Sequence, residues 1–576
     1  MSEKSRAEQL AALKDKQFDL IVIGGGIIGA GIARDAASRG LQVALFEKED
    51  YASGTSSRST RLIHGGLRYL EMFDFGLVRM DLKEREILLR IAPHLVRPLA
   101  FLVPFYRKSA FYRFKLGVGM WLYDWLSFDK SLPNHKSFST KKTLQLEPSL
   151  RAEGLQGAQM YYDGQVNLPE RLTLENIIDA QSKGAQCFNH SRVDSLIREN
   201  GRVTGVKVVN ELPGEPNQLF EVRGRLVINV SGAWLDGVEQ KLLGEKSRKV
   251  RQTKGIHFTA PSSVNNAVVL FAEDNRLFFV IPWLGYTWVG TTDTDFDEKL
   301  ETVRADRDDV EYLLESVKEI FPNSDWETIY FTNAGVRALV RKGGDKDESA
   351  VSRKHAIVDH EKAGDAPGLL SVVGGKITGY RGIAEDLVNA ATRKLGIKEK
   401  SGTALEKLPG GYTGNIKRFT DEIAKDGARW GITPAQAEHL ANIYGSRSRE
   451  ILALIEADPE LAKPVHPEYP VLRAEIPFAV AKEQCMTLCD FMMRRTDLYF
   501  TPDQGRQAAQ EVSLRLSELL HWSEERRQQE EAAYAQALVL TQQWRQESAS
   551  PKAPATAKTE AGKETADKME PVVGSH

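Results

Sequence analysis

The run from Phe18 to Glu47, FDLIVIGGGIIGAGIARDAASRGLQVALFE, constrains the fold more than any other part of the chain. Leu20 to Ile23 are continuously apolar, as a parallel strand buried on both faces requires. They lead straight into Gly24, Gly26 and Gly29, at the GxGxxG spacing that opens a helix. Gly24 permits the tight turn, Gly26 lets a pyrophosphate approach the backbone, and Gly29 lets helix and strand pack closely, which leaves the phosphates on the positive end of the helix. Ala33, Ala37 and Gly40 follow at i+4 and i+3 spacings and keep the strand-facing side of that helix small. The next strand, Val43 to Phe46, ends at Glu47, where a carboxylate accepts hydrogen bonds from both ribose hydroxyls of an adenosine and repels a 2′-phosphate. Strand, turn, helix and acid in this order predict an α/β, Rossmann-like domain that takes FAD or NAD rather than NADP.

Residues 51–71, YASGTSSRSTRLIHGGLRYLE, are dense in hydroxyls, glycines and cations, with His64 between them. Such hydroxyls and backbone amides suit further pyrophosphate or ring contacts, here Thr55, Ser56, Ser57, His64 and Gly65. LVINVSGAW (226–234) is a buried strand ending at Gly232, and SVVGGKITGYRGIAEDLV (371–388) is a second strand, glycine turn and helix. Val193, Gly232, Gly375, Lys376 and Thr378 complete the expected cofactor contacts. The chain has no second GxGxxG, so one dinucleotide site has to both receive and release electrons.

These stretches, with TKGIHF, FVIPW, VGTTDTDF, AGVRAL and SRKH in the same order, resemble the FAD-dependent (aerobic, quinone-linked) glycerol-3-phosphate dehydrogenase family. The resemblance runs from residue 23 to about 381, and more loosely to about 545. One departure is Ile28, where the family's glycine turn commonly carries Asn or Thr. The resemblance implies FAD as cofactor, in a binding domain of the glucose-oxidase/D-amino-acid-oxidase type, with an antiparallel-sheet substrate domain and a C-terminal helical cap, α+β overall. It also implies oxidation of sn-glycerol 3-phosphate to dihydroxyacetone phosphate, a hydride passing from C2 to flavin N5. A dianionic phosphate needs convergent cations, and the matching motifs supply Arg68, Arg337, Arg353 and Lys376, with Tyr69, Thr378 and Tyr380 as hydroxyl donors. Arg337 and Lys376 stand in apolar or glycine-rich sequence, where a buried cation needs an anionic partner. The C2 hydroxyl needs a base. His64, followed by Gly65 and Gly66, is the first choice; His257, a further substrate contact, is the second. The expected catalytic set is His64, Arg337 and Lys376, with no metal. Thr292 and Asp293 either approach the substrate or form a hairpin turn.

Net charge is only −2 over 576 residues, with the signs well mixed, which argues against a nucleic-acid footprint. Cys187, Cys485 and Cys489 form neither a CxxC pair nor a His/Cys cluster, so zinc, iron–sulfur and disulfide frameworks are not expected, and a reducing cytoplasm is. Cys485 and Cys489, in EQCMTLCDFMMRR, read as core residues of one helix. The charged N-terminus is no secretory signal and reads as a short helix lying on the body. No stretch of about eighteen apolar residues spans a membrane. Residues 101–128 interleave Arg107, Lys108, Arg113 and Lys115 with aromatic residues, and are either an interfacial element facing anionic lipid or a buried helix with a loop.

The expected domains are an FAD domain in pieces (18–85, 155–248, 336–398), a substrate domain (86–154, 249–335), a helical cap (399–547) with helix starts at Thr433-Pro434 and Thr501-Pro502, and a disordered tail (548–576). SRVDSLIRENGRVTGVKVV reads as two strands turning at Asn200-Gly201. The electron acceptor is expected to be a membrane quinone, with the protein peripheral on the inner face of the cell membrane and a homodimer as an open option. Oxygen is the alternative acceptor. A flavin oxidase of another small amine or hydroxyacid, and a flavin-binding protein without turnover, are the other readings.

Overall fold

The computed structural model describes residues 5–66, 70, 73–106, 110–244, 248–271, 276–341 and 355–547. Two sheets organise it. The first runs in the order Ala356–Asp359, Leu369–Val373, Leu219–Asn229, Gln17–Ile23, Val43–Phe46, Gln186–Phe188, and every neighbour pair after the first is parallel. Leu20, Ile21 and Val22 are fully buried at its centre, as their uninterrupted apolar sequence requires. The helix Ile27–Ser38 lies against the helices Pro169–Ser182 and Tyr380–Leu395. Ser191–Glu199 and Arg202–Asn210 form the expected hairpin, with Asn200 and Gly201 both left-handed (φ 51° and 81°), as a tight Asn-Gly turn demands.

Among the described residues the second sheet has ten strands, antiparallel except where Ala267–Phe271 runs parallel to Val96–Tyr106. Val250–Ala260 and Phe331–Val340 pair along their length at one end, and Val96–Tyr106 with Leu155–Val166 nearer the other. Leu62–Ile63 and Leu155–Val166 belong to this sheet, although the sequence places both in cofactor-domain segments. Apolar pattern marks a strand but does not reveal which sheet it joins.

From residue 416 to residue 547 the chain is mainly helical. Pro434–Tyr444 starts as expected, with Thr433 and Gln436 closing a capping box. The other expected start shifts to Arg506, because Gln504 and Gly505 are left-handed and Thr501 closes a turn by accepting from the Gly505 amide. The cysteine segment is not one helix either. Glu475–Glu483 stops at left-handed Gln484, which leaves Cys485 buried between helices and Cys489 half-buried in a short new turn. Buried guanidinium–carboxylate forks join the cap to the first domain: Arg495 to Asp50 at 2.6 and 2.9 Å, and Arg171 to Glu483 at 2.6 and 2.8 Å. The N-terminal helix Arg6–Ala11 is held by a buried hydrogen bond, Arg6 donating to the Asn189 amide oxygen at 2.7 Å.

Candidate functional site

A cavity of about 650 Å³ opens beyond the carboxyl ends of four parallel strands. Gly24, Glu47, Val230 and Gly374 follow Gln17–Ile23, Val43–Phe46, Leu219–Asn229 and Leu369–Val373, and all four line it, where an open α/β sheet places its ligand. Residues of the second sheet, His257, Gly335 and Arg337 among them, close the opposite wall.

At the fingerprint end the chain works by leaving side chains out. Gly24 is left-handed (φ 110°), and a Cβ there would lie 2.9 Å from the Val230 carbonyl oxygen. A Cβ on Gly29 would lie 1.9 Å from the Gly24 oxygen, so this glycine serves the turn from behind and does not line the cavity. Gly26 caps the helix Ile27–Ser38, and the Ser56 hydroxyl accepts from the next amide, Ile27, at 2.9 Å. Glu47 accepts from the Gly25 amide at 2.7 Å and the Glu49 amide at 3.0 Å. Burial raises its pKa against the pull of those two amides. Trp234 flanks this end, with Lys48 over its ring and its indole N–H donated to Glu301.

The other end gathers charge. Arg337 donates to Asp293 Oδ1 at 2.9 Å, Thr291 Oγ1 at 2.8 Å and the Thr292 carbonyl at 3.1 Å. Its guanidinium occupies the place a Cβ on Gly255 would take, 2.2 Å away. Thr292 and Asp293 thus hold the arginine. Lys376 donates to Asp81 Oδ2 at 2.6 Å; burial pushes Asp81 up to about 6 although the ammonium opposes it. His64 is half-buried, with its amide donated to Thr378 Oγ1 at 3.1 Å and its ring edge-on to Phe279. His257 is 1 % exposed, stacks on Trp288, and has Nε2 3.0 Å from Thr60 Oγ1. Burial, reinforced by Arg337 and Arg61, lowers its pKa well below the usual value, so it is neutral.

Gly24, Gly26, Glu47, Thr55, Ser56, His64, Val193, Gly232, His257, Arg337, Gly375, Lys376 and Thr378 are brought together on this lining. Thr55 donates to the Val336 carbonyl. Ser57 is not on it; its hydroxyl donates to the Gly54 carbonyl and it faces a smaller neighbouring cavity. Gly65 lies behind it, its amide donated to the Tyr123 hydroxyl at 3.0 Å. Tyr380 is fully buried against Gly31, with its hydroxyl bonded to Asn176, so it supports the helix Tyr380–Leu395 rather than facing the cavity. Arg68, Tyr69 and Arg353 lie outside the described residues.

Sequence reasoning passed over Arg58, Arg61 and Asp81. Arg58 lines both cavities, and burial lowers its pKa. Arg61, left-handed at φ 61°, forks onto Glu170 and lies over Trp283 and Phe500. Both sit in the quoted GTSSRSTRLIHGG, where hydroxyl neighbours give them the look of solvated residues. Asp81 sits in an amphipathic helix, where only its inward register marks it.

A family model described as FAD dependent oxidoreductase matches residues 19–383, and one described as the C-terminal domain of alpha-glycerophosphate oxidase matches 401–527. A protein of Synechocystis named glycerol-3-phosphate dehydrogenase is 39% identical over 89% of this chain and 95% of its own length. An aerobic glycerol-3-phosphate dehydrogenase of Bacillus subtilis is 36% identical over 91% and 95%. The crystal structure of a Bacillus halodurans glycerol-3-phosphate dehydrogenase complexed with FAD aligns with a TM-score of 0.76 at 30% identity, over 93% of this chain and 97% of that one. The residues present fit FAD. The Gly24–Gly26 turn leaves a side-chain-free cradle at a helix N-terminus, which accommodates a pyrophosphate, and Glu47 stands at the strand end where a ribose diol binds.

Proposed function

The chain belongs to the FAD-dependent oxidoreductase family, among its glycerol-3-phosphate dehydrogenases, and we propose on that footing that it oxidises sn-glycerol 3-phosphate to dihydroxyacetone phosphate and passes the electrons to a membrane quinone. The observation that carries the substrate is the convergence of Arg337 and Lys376 with His64 on the cavity that also holds the glycine turn. FAD, when bound, supplies the two-electron acceptor.

Arg337 binds the phosphate. Its fork is fixed from behind by Asp293, Thr291 and the Thr292 carbonyl, so little side-chain entropy is lost on binding. Lys376 adds a second cation from the opposite wall. His64 takes the proton of the C2 hydroxyl. Its ring rides on a turn whose main chain is held at two successive amides, His64 to Thr378 and Gly65 to Tyr123, and lies edge-on to Phe279. His257, buried and neutral, forms wall and adds no charge beside the departing proton.

A quinone acceptor is supported by the helix Ala110–Leu126. Phe114, Val118, Trp121 and Trp125 recur along one side of it and are exposed, the two tryptophans by more than 60 %, and Phe128, just past its end, is exposed as well. Lys115 is exposed on the same helix. Among the described residues no helix is long and apolar enough to cross a membrane. An aromatic stripe with flanking cations suits shallow insertion into an anionic lipid surface.

Anaerobic addition of glycerol 3-phosphate should bleach the bound flavin, and glycerol at the same concentration should not. Equal bleaching by both would remove the phosphate from the recognition. Turnover with a quinone analogue should exceed that with dissolved oxygen and rise with anionic vesicles; a faster, lipid-independent reaction with oxygen would make the protein an oxidase.

A further inference from the structure

The helix Phe75–Ile91 turns Asp81, Glu84 and Arg85 toward the interior, three and four residues apart on one face. Two of them grip the second glycine segment: Asp81 accepts from Lys376, and Glu84 accepts from Arg381 Nε at 2.8 Å. Arg85 pairs with Asp163 at 2.6 Å, and the Tyr123 hydroxyl, which holds the Gly65 amide, donates to the same carboxylate. This one helix therefore supports both the His64 turn and the Lys376 turn.

Asp81 is the member without an evident structural need. Its side chain is 1 % exposed, between Val78 and Leu82, which are fully buried. An apolar residue would fill that face at no desolvation cost. Two further carboxylates, Glu84 and Asp163, stand near it and oppose its charge, leaving Lys376 as the cation that favours it. Asp81 does not line the cavity, whereas Lys376 does.

We propose that Asp81 is a positioning residue for substrate phosphate: from outside the cavity it fixes the Lys376 ammonium at the wall, so that an incoming phosphate meets an ordered cation. This rests on the reading of Lys376 as a phosphate ligand.

The test uses the FAD-loaded full chain and the variants Asp81→Asn, Asp81→Glu and Lys376→Met, with flavin absorbance as the check on folding. Asp81→Asn should raise KM for glycerol 3-phosphate about tenfold, the size of a weakened charge-assisted hydrogen bond, with kcat little changed. In the same variant, without substrate, Lys376 should be acylated faster by an amine-reactive reagent, read by peptide mass spectrometry. Asp81→Glu should restore both. An unchanged or lower KM in Asp81→Asn, or an unchanged acylation rate, overturns the proposal, and a lower KM would mean that Asp81 withholds the lysine from substrate. Should Asp81→Asn lose its flavin, acylation of Lys376 in Asp81→Glu decides, a rate unlike the native one counting against positioning. Lys376→Met separates the two layers: if it leaves KM unchanged, the phosphate role of Lys376 fails, while acylation still reports whether Asp81 holds the amine.

Discussion

Two glycine turns frame the cavity from parallel strands that flank Leu219–Asn229, and they contribute in opposite ways. The first, Gly24 to Gly29, offers backbone and empty space: Gly24 and Gly29 are explained by the main chain a Cβ would strike, and Gly26 leaves open the helix N-terminus that it caps. The second, Gly374 to Arg381, offers charge, and that charge is held by carboxylates from a helix some three hundred residues earlier in the chain. They lie close together at Gly375, where a Cβ would be 2.8 Å from Ile28 Cδ1. Binding an invariant diphosphate calls for a shape, which a local segment encodes by itself. Placing a cation against a small substrate calls for a counter-charge, which only the tertiary fold delivers.

The largest effect should come from filling the first turn. Gly29→Val forces side-chain atoms onto the Gly24 backbone, a main-chain clash that costs about 4 kcal/mol or more, and the protein should be recovered without flavin or unfolded. Gly26→Ala meets only the Ser56 hydroxyl, at 3.3 Å, so the apoprotein should fold normally and bind FAD more weakly. If Gly29→Val retains flavin, the first turn does not work through excluded side chains and the contrast breaks.

Next in size is the charged side. His64→Ala should slow flavin reduction by glycerol 3-phosphate roughly 10²- to 10⁴-fold and flatten the limb that rises with pH, while FAD binding survives. Stopped-flow rates within a few-fold of wild type, with that limb intact, would move the base elsewhere.

Charge in the second turn should also carry a stability cost. Asp81 is pushed from 3.8 up to about 6 by burial, so between those values the folded state binds the proton and the unfolded state does not. Its contribution is therefore favourable below about pH 4 and lost as pH rises through 6, a change of up to about 3 kcal/mol. Asp81→Asn has no such proton, so its unfolding free energy relative to wild type should rise between pH 4 and 6.5 and level off above. A difference that stays flat across that range would show that Asp81 is not buried against its charge.

The same division decides what could be read in advance. The Asn200-Gly201 hairpin and the Thr433 cap rest on contacts within a few residues, and the apolar runs of the parallel strands and the spacing from Gly24 to Glu47 are patterns within short segments, so sequence carries that information. Tyr380 misleads because it sits in the same motif as Lys376, yet helix geometry turns it toward Asn176 and Gly31, inside the first domain. Arg61 and Asp81 escape notice because their partners, Glu170 and Lys376, lie one to three hundred residues away. The exposed stripe of Phe114, Trp121 and Trp125 has the same spacing as a core helix, and only the fold shows which side of that helix remains uncovered.

Glu47 is the place where the first turn does use a side chain, and the effect there should be the smallest. Its two oxygens accept the Gly25 and Glu49 amides. A glutamine keeps one acceptor and sets its NH₂ against the other amide. Loss of the charged acceptor should weaken FAD binding by roughly 1.5 to 3 kcal/mol, roughly 10- to 100-fold in Kd. The apoprotein, in contrast, should lose little stability, because burial already raises the pKa of this carboxylate and the neutral side chain escapes that penalty. Titration of apoprotein with FAD, set beside thermal unfolding of the same apoprotein, separates the two. A fall in apoprotein stability as large as the loss in FAD affinity would mean that Glu47 serves the turn's own backbone, and the fingerprint would then act through main chain alone.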